Sequence, residues 1–75
     1  MPHIDKLNRV DIDIVQAYAD NNMVLQRAAE ASHYARTSVR YRFDRVYKIT
    51  GLDPRDFYQL HELVKEINAW KGDAK

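Results

Sequence analysis

Between His33 and Thr50 the chain carries Arg36, Arg40, Arg42, Arg45 and Lys48 against one acid, Asp44. A guanidinium is planar and always charged. Its fork matches two acceptors at once, as offered by phosphate oxygens or by the O6/N7 edge of guanine. Five positive charges and one negative give this segment an excess of +4 in a chain whose net charge is +1, which leaves −3 for the remainder. A basic segment in a mildly acidic scaffold is the electrostatic footprint of a nucleic-acid reader. It is equally the footprint of a solvated, arginine-rich helix face, and charge alone does not choose between them.

Other chemistries find less support. Thr37 and Ser38 lack the His and Asp partners that would activate a hydroxyl nucleophile. Asp11 and Asp13 read as a solvated face of the first helix; as a metal or catalytic pair they lack any nucleophile or glycine-rich loop nearby. His3, His33 and His61 are too scattered for zinc-ligand spacing, and the absence of cysteine excludes disulfides and thiolate sites. No cofactor and no small-molecule effector site is implied. Met1 to Val10 is charged throughout and does not read as a signal peptide. No apolar stretch approaches the roughly 20 residues of a membrane helix. A chain without cysteine suits the reducing cytoplasm.

The elements that must present the basic segment are helical. With two Gly and two Pro in 75 residues, breakers are too few for a loop-rich all-β fold. The expected fold is a single all-α domain of four helices: a helix-turn-helix core plus a C-terminal packing helix. Met1 to Asn8 reads as a loose lead-in, mobile to about residue 9. Helix 1 is expected over Val10–Asp20, with Val10, Ile14, Ala17 and Tyr18 on one stripe and Val15 beside it. Asn21 and Asn22 break it. A short second helix spans Val24–Ser32, followed by a turn of Ser32, His33 and Tyr34. Helix 3 is expected over Ala35–Ile49, held inward by Val39, Phe43, Val46 and Ile49 or Thr50 and closed by Gly51. Helix 4 is expected to open with Asp53 as N-cap, Pro54 in the first helical position and Asp56 in the first turn. Leu52 and Phe57 would close as a hydrophobic staple. Phe57, Leu60, Leu63 or Val64, and Ile67 would form its core face, and residues 72–75 would fray.

Helices 2 and 3 with their turn form a helix-turn-helix candidate. Ala28 and Ala29 allow a close crossing, Tyr34 could plug the angle, and Val39 and Phe43 anchor helix 3. Its free face then carries Arg36, Thr37, Arg40 and Tyr41, placed to meet base edges in the major groove. Ser38, Arg42, Arg45 and Lys48 are placed to meet phosphates. A plain helical bundle has the same small residues and the same arginine-rich face.

The run Val39-Arg40-Tyr41-Arg42-Phe43-Asp44-Arg45-Val46, followed by Ile49-Thr50-Gly51-Leu52-Asp53, resembles the C-terminal helix-turn-helix domain of the PucR/CdaR-type regulators. Tyr18-Ala19-Asp20-Asn21-Asn22 and Ala28-Ala29-Glu30 match the same pattern, and the resemblance spans about Ile12 to Ile67. It is similar, more distantly, to the Fis-type fold. The resemblance implies a transcriptional regulator binding double-stranded DNA as a homodimer, in the manner of the stand-alone bacterial versions of this domain. Arg36 carries over from the family's recognition-helix start, and Ser38 keeps its hydroxyl. Ala35 and Thr37 replace the family's His and Asn, and Ser32 stands where the family has a core leucine. Trp70, late in helix 4, is expected either to cap the core or to pair two copies. The rival reading is a helical protein-interaction module that has kept the fold but not DNA reading.

Overall fold

The computed structural model describes residues 3–73. One 3-10 turn, Ile4–Lys6, precedes four helices: α1 Arg9–Asp20, α2 Leu25–Ser32, α3 Arg36–Thr50 and α4 Phe57–Asp73. The all-α, four-helix expectation is met, and the limits of α1 to α3 fall within one residue of those read from the sequence.

Helix α1 is the hub. It packs against α2, α3 and α4, whereas among the described residues the backbone of α4 runs close only to α1 and the 3-10 turn. A helix covered on several sides must be apolar over more than one stripe. Ile14 and Val15 are accordingly sealed from solvent, with Ile12 and Tyr18 buried beside them. Asn8 starts the helix through a capping box: its side chain accepts from the Asp11 N–H at 2.9 Å, and the Asp11 carboxylate accepts from the Asn8 N–H at 3.1 Å. The helix ends where the Asn21 side chain donates to the Ala17 carbonyl at 2.7 Å and Asn22 and Met23 adopt left-handed φ of 57° and 61°.

The lead-in is not loose across its described part. Ile4 and Leu7 are buried in the core, and the 3-10 turn packs on α3 and α4. Spaced three apart on a tight turn, the two side chains point the same way, while Asp5 and Lys6 face solvent. Residues 1–2 of that segment lie outside the described residues.

The first turn of α4 also departs from expectation. The helix begins at Phe57, and its cap is Asp56, which accepts from the Gln59 N–H at 3.0 Å. Asp53 is used earlier. Its carboxylate accepts from the Arg55 N–H at 3.0 Å, and its own N–H donates to Gln59 Oε1 at 2.8 Å. Pro54 is buried inside this turn rather than opening the helix. The later start leaves Phe57 outside the core, 64% exposed and edge-to-face with Tyr58. Leu52 packs on the core without it, so no Leu52–Phe57 staple closes. Leu60, Leu63 and Ile67 do form the inner face, with Val64 half-buried beside them. The helix continues through Asp73, past the expected fraying point at Gly72; residues 74–75 lie outside the described residues.

Candidate nucleic-acid interface

Helix α2 reaches α3 through three residues, His33 to Ala35. His33 ends α2 in a left-handed conformation (φ 65°), and the Tyr34 N–H reaches back to the Ala29 carbonyl at 3.0 Å. That is the bond pattern by which a helix reverses direction abruptly. Ala28 and Ala29 are the buried residues of α2, which packs on both α1 and α3. Ser32, in place of a core leucine, turns its hydroxyl to the Ala28 carbonyl at 2.7 Å and needs no apolar pocket. Tyr34 is exposed and does not plug the angle between the helices.

Val39, Phe43 and Val46 fix α3 on the core, and Phe43 meets Tyr18 edge-on at 4.7 Å between ring centroids. The opposite surface is open. Arg36, Thr37, Ser38, Arg40, Tyr41 and Lys48 are all exposed there. No side chain caps the start of α3, because Ala35 has none to offer. The free N–H groups of its first turn therefore carry the positive end of the helix dipole toward solvent.

Arg42 and Arg45 are placed differently. Both turn toward α1, where the fully buried Asp11 accepts Arg42 Nη1 on Oδ1 at 3.1 Å and Arg45 Nε on Oδ2 at 3.0 Å. Asp11 is therefore not part of a solvated helix face; burial between α1 and α3 makes it an ionic anchor. Asp13 does stay exposed, with Arg9 at 3.7 Å. The sequence held a signal for part of this, since the Asn-x-x-Asp spacing at a helix start has the form of a capping box and singles out Asp11 from Asp13, though not its burial.

Asp44, the one acid of α3, is held by Arg55 Nη1 at 2.8 Å, while Arg55 Nε binds Asp53 at 2.8 Å. Partial burial pushes the Asp53 carboxyl up, but the side-chain and backbone hydrogen bonds from Arg55 and its charge outweigh this, so Asp53 titrates below the usual carboxylate range. Arg55 is correspondingly raised, chiefly by its hydrogen bond to Asp53. Desolvation, with the nearby Asp53 charge, raises the Tyr18 phenol. Among the described residues, Arg36, Arg40 and Lys48 have no carboxylate partner. Tyr47, exposed two turns after Arg40 on the same flank, joins this surface and was not singled out by the sequence.

A short helix, an abrupt three-residue turn and a second helix anchored along one stripe define an all-α helix-turn-helix domain. Residues 12–67, from the first turn of α1 to the buried Ile67 of α4, match the PucR C-terminal helix-turn-helix domain family, and the chain belongs to that family. No curated protein and no solved structure matches it. Membership of this family fits a DNA-binding regulator. Among the described residues no helix is long and apolar enough to cross a membrane.

Proposed function

We propose that this chain is a sequence-reading DNA-binding domain of a cytoplasmic transcriptional regulator, with α3 entering the major groove N-terminus first. The observation that carries the reading is the outer surface of α3: among the described residues Arg36, Arg40 and Lys48 stand exposed and unpaired, while its one acid, Asp44, is paired with Arg55. Arg36, Thr37, Arg40 and Tyr41 are the groups that meet base edges. Ser38, Lys48 and the uncapped first turn meet phosphates. No catalytic role is assigned.

One module offers few contacts, so two copies related by a dyad suit the task, with recognition helices about 34 Å apart. The exposed aromatic surface that Phe57 and Tyr58 form at the start of α4 is what such pairing would bury; Trp70, 38% exposed, lies near the other end of the helix beside Leu7 and Ile12. The same aromatic surface favours a second reading, a protein-interaction module.

Binding to randomised duplex DNA by fluorescence anisotropy at two salt concentrations, with sequencing of the bound fraction, separates the readings. The DNA reading expects one enriched motif and affinity that falls steeply with salt. Absence of binding at low salt rejects it and turns attention to α4.

A further inference from the structure

The Asp11 cluster does more than join α1 to α3. Both carboxylate oxygens are occupied: Oδ1 by Arg42, and Oδ2 by Arg45 and by the Asn8 N–H at 3.1 Å. The carboxylate itself is sealed from solvent, and the side chains of Arg42 and Arg45 are only 26% and 35% exposed. Both arginines border the exposed surface of α3: the Arg42 guanidinium lies 5.8 Å from the Tyr41 ring centroid and Arg45 lines a shallow concavity with Tyr41 and Lys48, and it is the Asp11 carboxylate that draws their charged ends toward α1. Pulling either one toward a phosphate would weaken the pairing of a fully buried carboxylate, which water cannot reach to compensate.

We propose that Asp11 is a positioning residue for DNA recognition: it withholds Arg42 and Arg45 from the phosphate backbone, so that the usable charge of α3 is confined to Arg36, Arg40 and Lys48. This rests on the DNA-binding reading above. Phosphate contacts give affinity for any sequence, whereas base contacts discriminate. Fewer backbone cations hold down binding to random DNA and leave a larger share of the affinity to the base-facing residues. An arginine-rich helix thereby gains selectivity from an acid that never touches DNA.

The test is the slope of log affinity against log salt, measured on the selected motif and on random duplex, with thermal melts to establish folding. Asp11→Asn keeps the shape and an acceptor oxygen but releases the charge. It is expected to steepen the slope by about one to two, at roughly 0.9 per phosphate gained. Binding to random duplex at low salt is expected to strengthen about tenfold, and the ratio of specific to random affinity to fall. A residue with only a structural role would weaken both affinities instead. Arg42→Gln and Arg45→Gln, each leaving Asp11 one arginine, are expected to keep the unsubstituted slope. A slope flattened by about one in either single variant overturns the proposal, because that arginine would then be a phosphate contact. A folded Asp11→Asn protein with an unchanged slope overturns it as well. If Asp11→Asn does not fold, the two glutamine variants decide. Failure of the unsubstituted chain to bind DNA at low salt is a different result; it removes the proposed function itself, and this inference with it.

Discussion

Two ionic clusters hold α3, and they are mirror images in composition. On the inner flank one acid, Asp11, holds two arginines; on the outer side one arginine, Arg55, holds two acids, Asp44 and Asp53. The distances are alike, between 2.8 and 3.1 Å. Solvent makes the difference. The Asp11 carboxylate is fully buried, while Arg55 and Asp44 are 41% and 67% exposed. Water screens the second cluster and re-solvates any member that lets go, so that cluster adjusts charge at little structural cost. The first cannot let go without stranding a charge. Contact distance alone therefore says little about what an ion pair does; the solvent around it decides.

Removal of the buried acid is the strongest way to break this comparison. Asp11→Ala leaves two half-buried guanidinium groups facing an apolar gap and removes one half of the α1 capping box. It should cost about 3–5 kcal/mol, most of what a domain of this size has, read as a collapse of the thermal melt. A loss no larger than that of an exposed pair would erase the distinction. Next in size is Arg40→Ala, on the outer face and in neither cluster. Specific DNA binding should weaken by about 1–3 kcal/mol, with stability changed by less than about 0.5 kcal/mol. Unfolding on this substitution would show Arg40 to be structural. Arg55→Ala, the counterpart of the Asp11 change, should cost no more than about 1 kcal/mol. It would also expose the Asp44 charge beside the binding face, and so weaken DNA binding slightly at low salt.

The smallest effect is in pH. Asp53 titrates below the usual carboxylate value of 3.8. The unfolded chain therefore takes up its proton first as pH falls. The stabilisation from the Arg55 pairing is complete above that value and disappears as pH drops through the lower folded one. Asp53→Asn should lose this contribution at neutral pH and show a correspondingly shallower acid limb in a pH series of melts. An acid limb identical in the two proteins would place the titration elsewhere.

Much of the domain was legible in the sequence because its punctuation is local. Asn21-Asn22 and Gly51 end their helices through their own backbone geometry, and the inward stripe Val39, Phe43, Val46 needs only a helical period to be recognised. The start of α4 was not legible for the opposite reason. Asp53 and Pro54 are sound helix openers, yet Pro54 is buried and the Asp53 N–H is taken by Gln59 Oε1 from six residues later, which leaves both in a turn ahead of α4. Phe57 follows that turn out of the core. Ile4 and Leu7 were hidden by charged neighbours, since a net-polar segment still buries two side chains that a tight turn aligns. Among the site residues, exposure of Arg36, Thr37, Ser38, Arg40, Tyr41 and Lys48 followed from the helical period. The inward turn of Arg42 and Arg45 depends on a carboxylate more than thirty residues earlier, which no local pattern of α3 encodes.

The hub position of α1 also bears on how the domain opens. Because the backbone of α4 runs close only to α1 and the 3-10 turn among the described elements, α4 has fewer neighbours to lose when it detaches. Amide hydrogen exchange should therefore grade across the fold: the α1 amides exchange only with global unfolding, whereas those late in α4 exchange through a cheaper local opening. The C-terminal helix can then breathe while α3 keeps its hold on α1, so that an event at one end of the domain need not disturb the other.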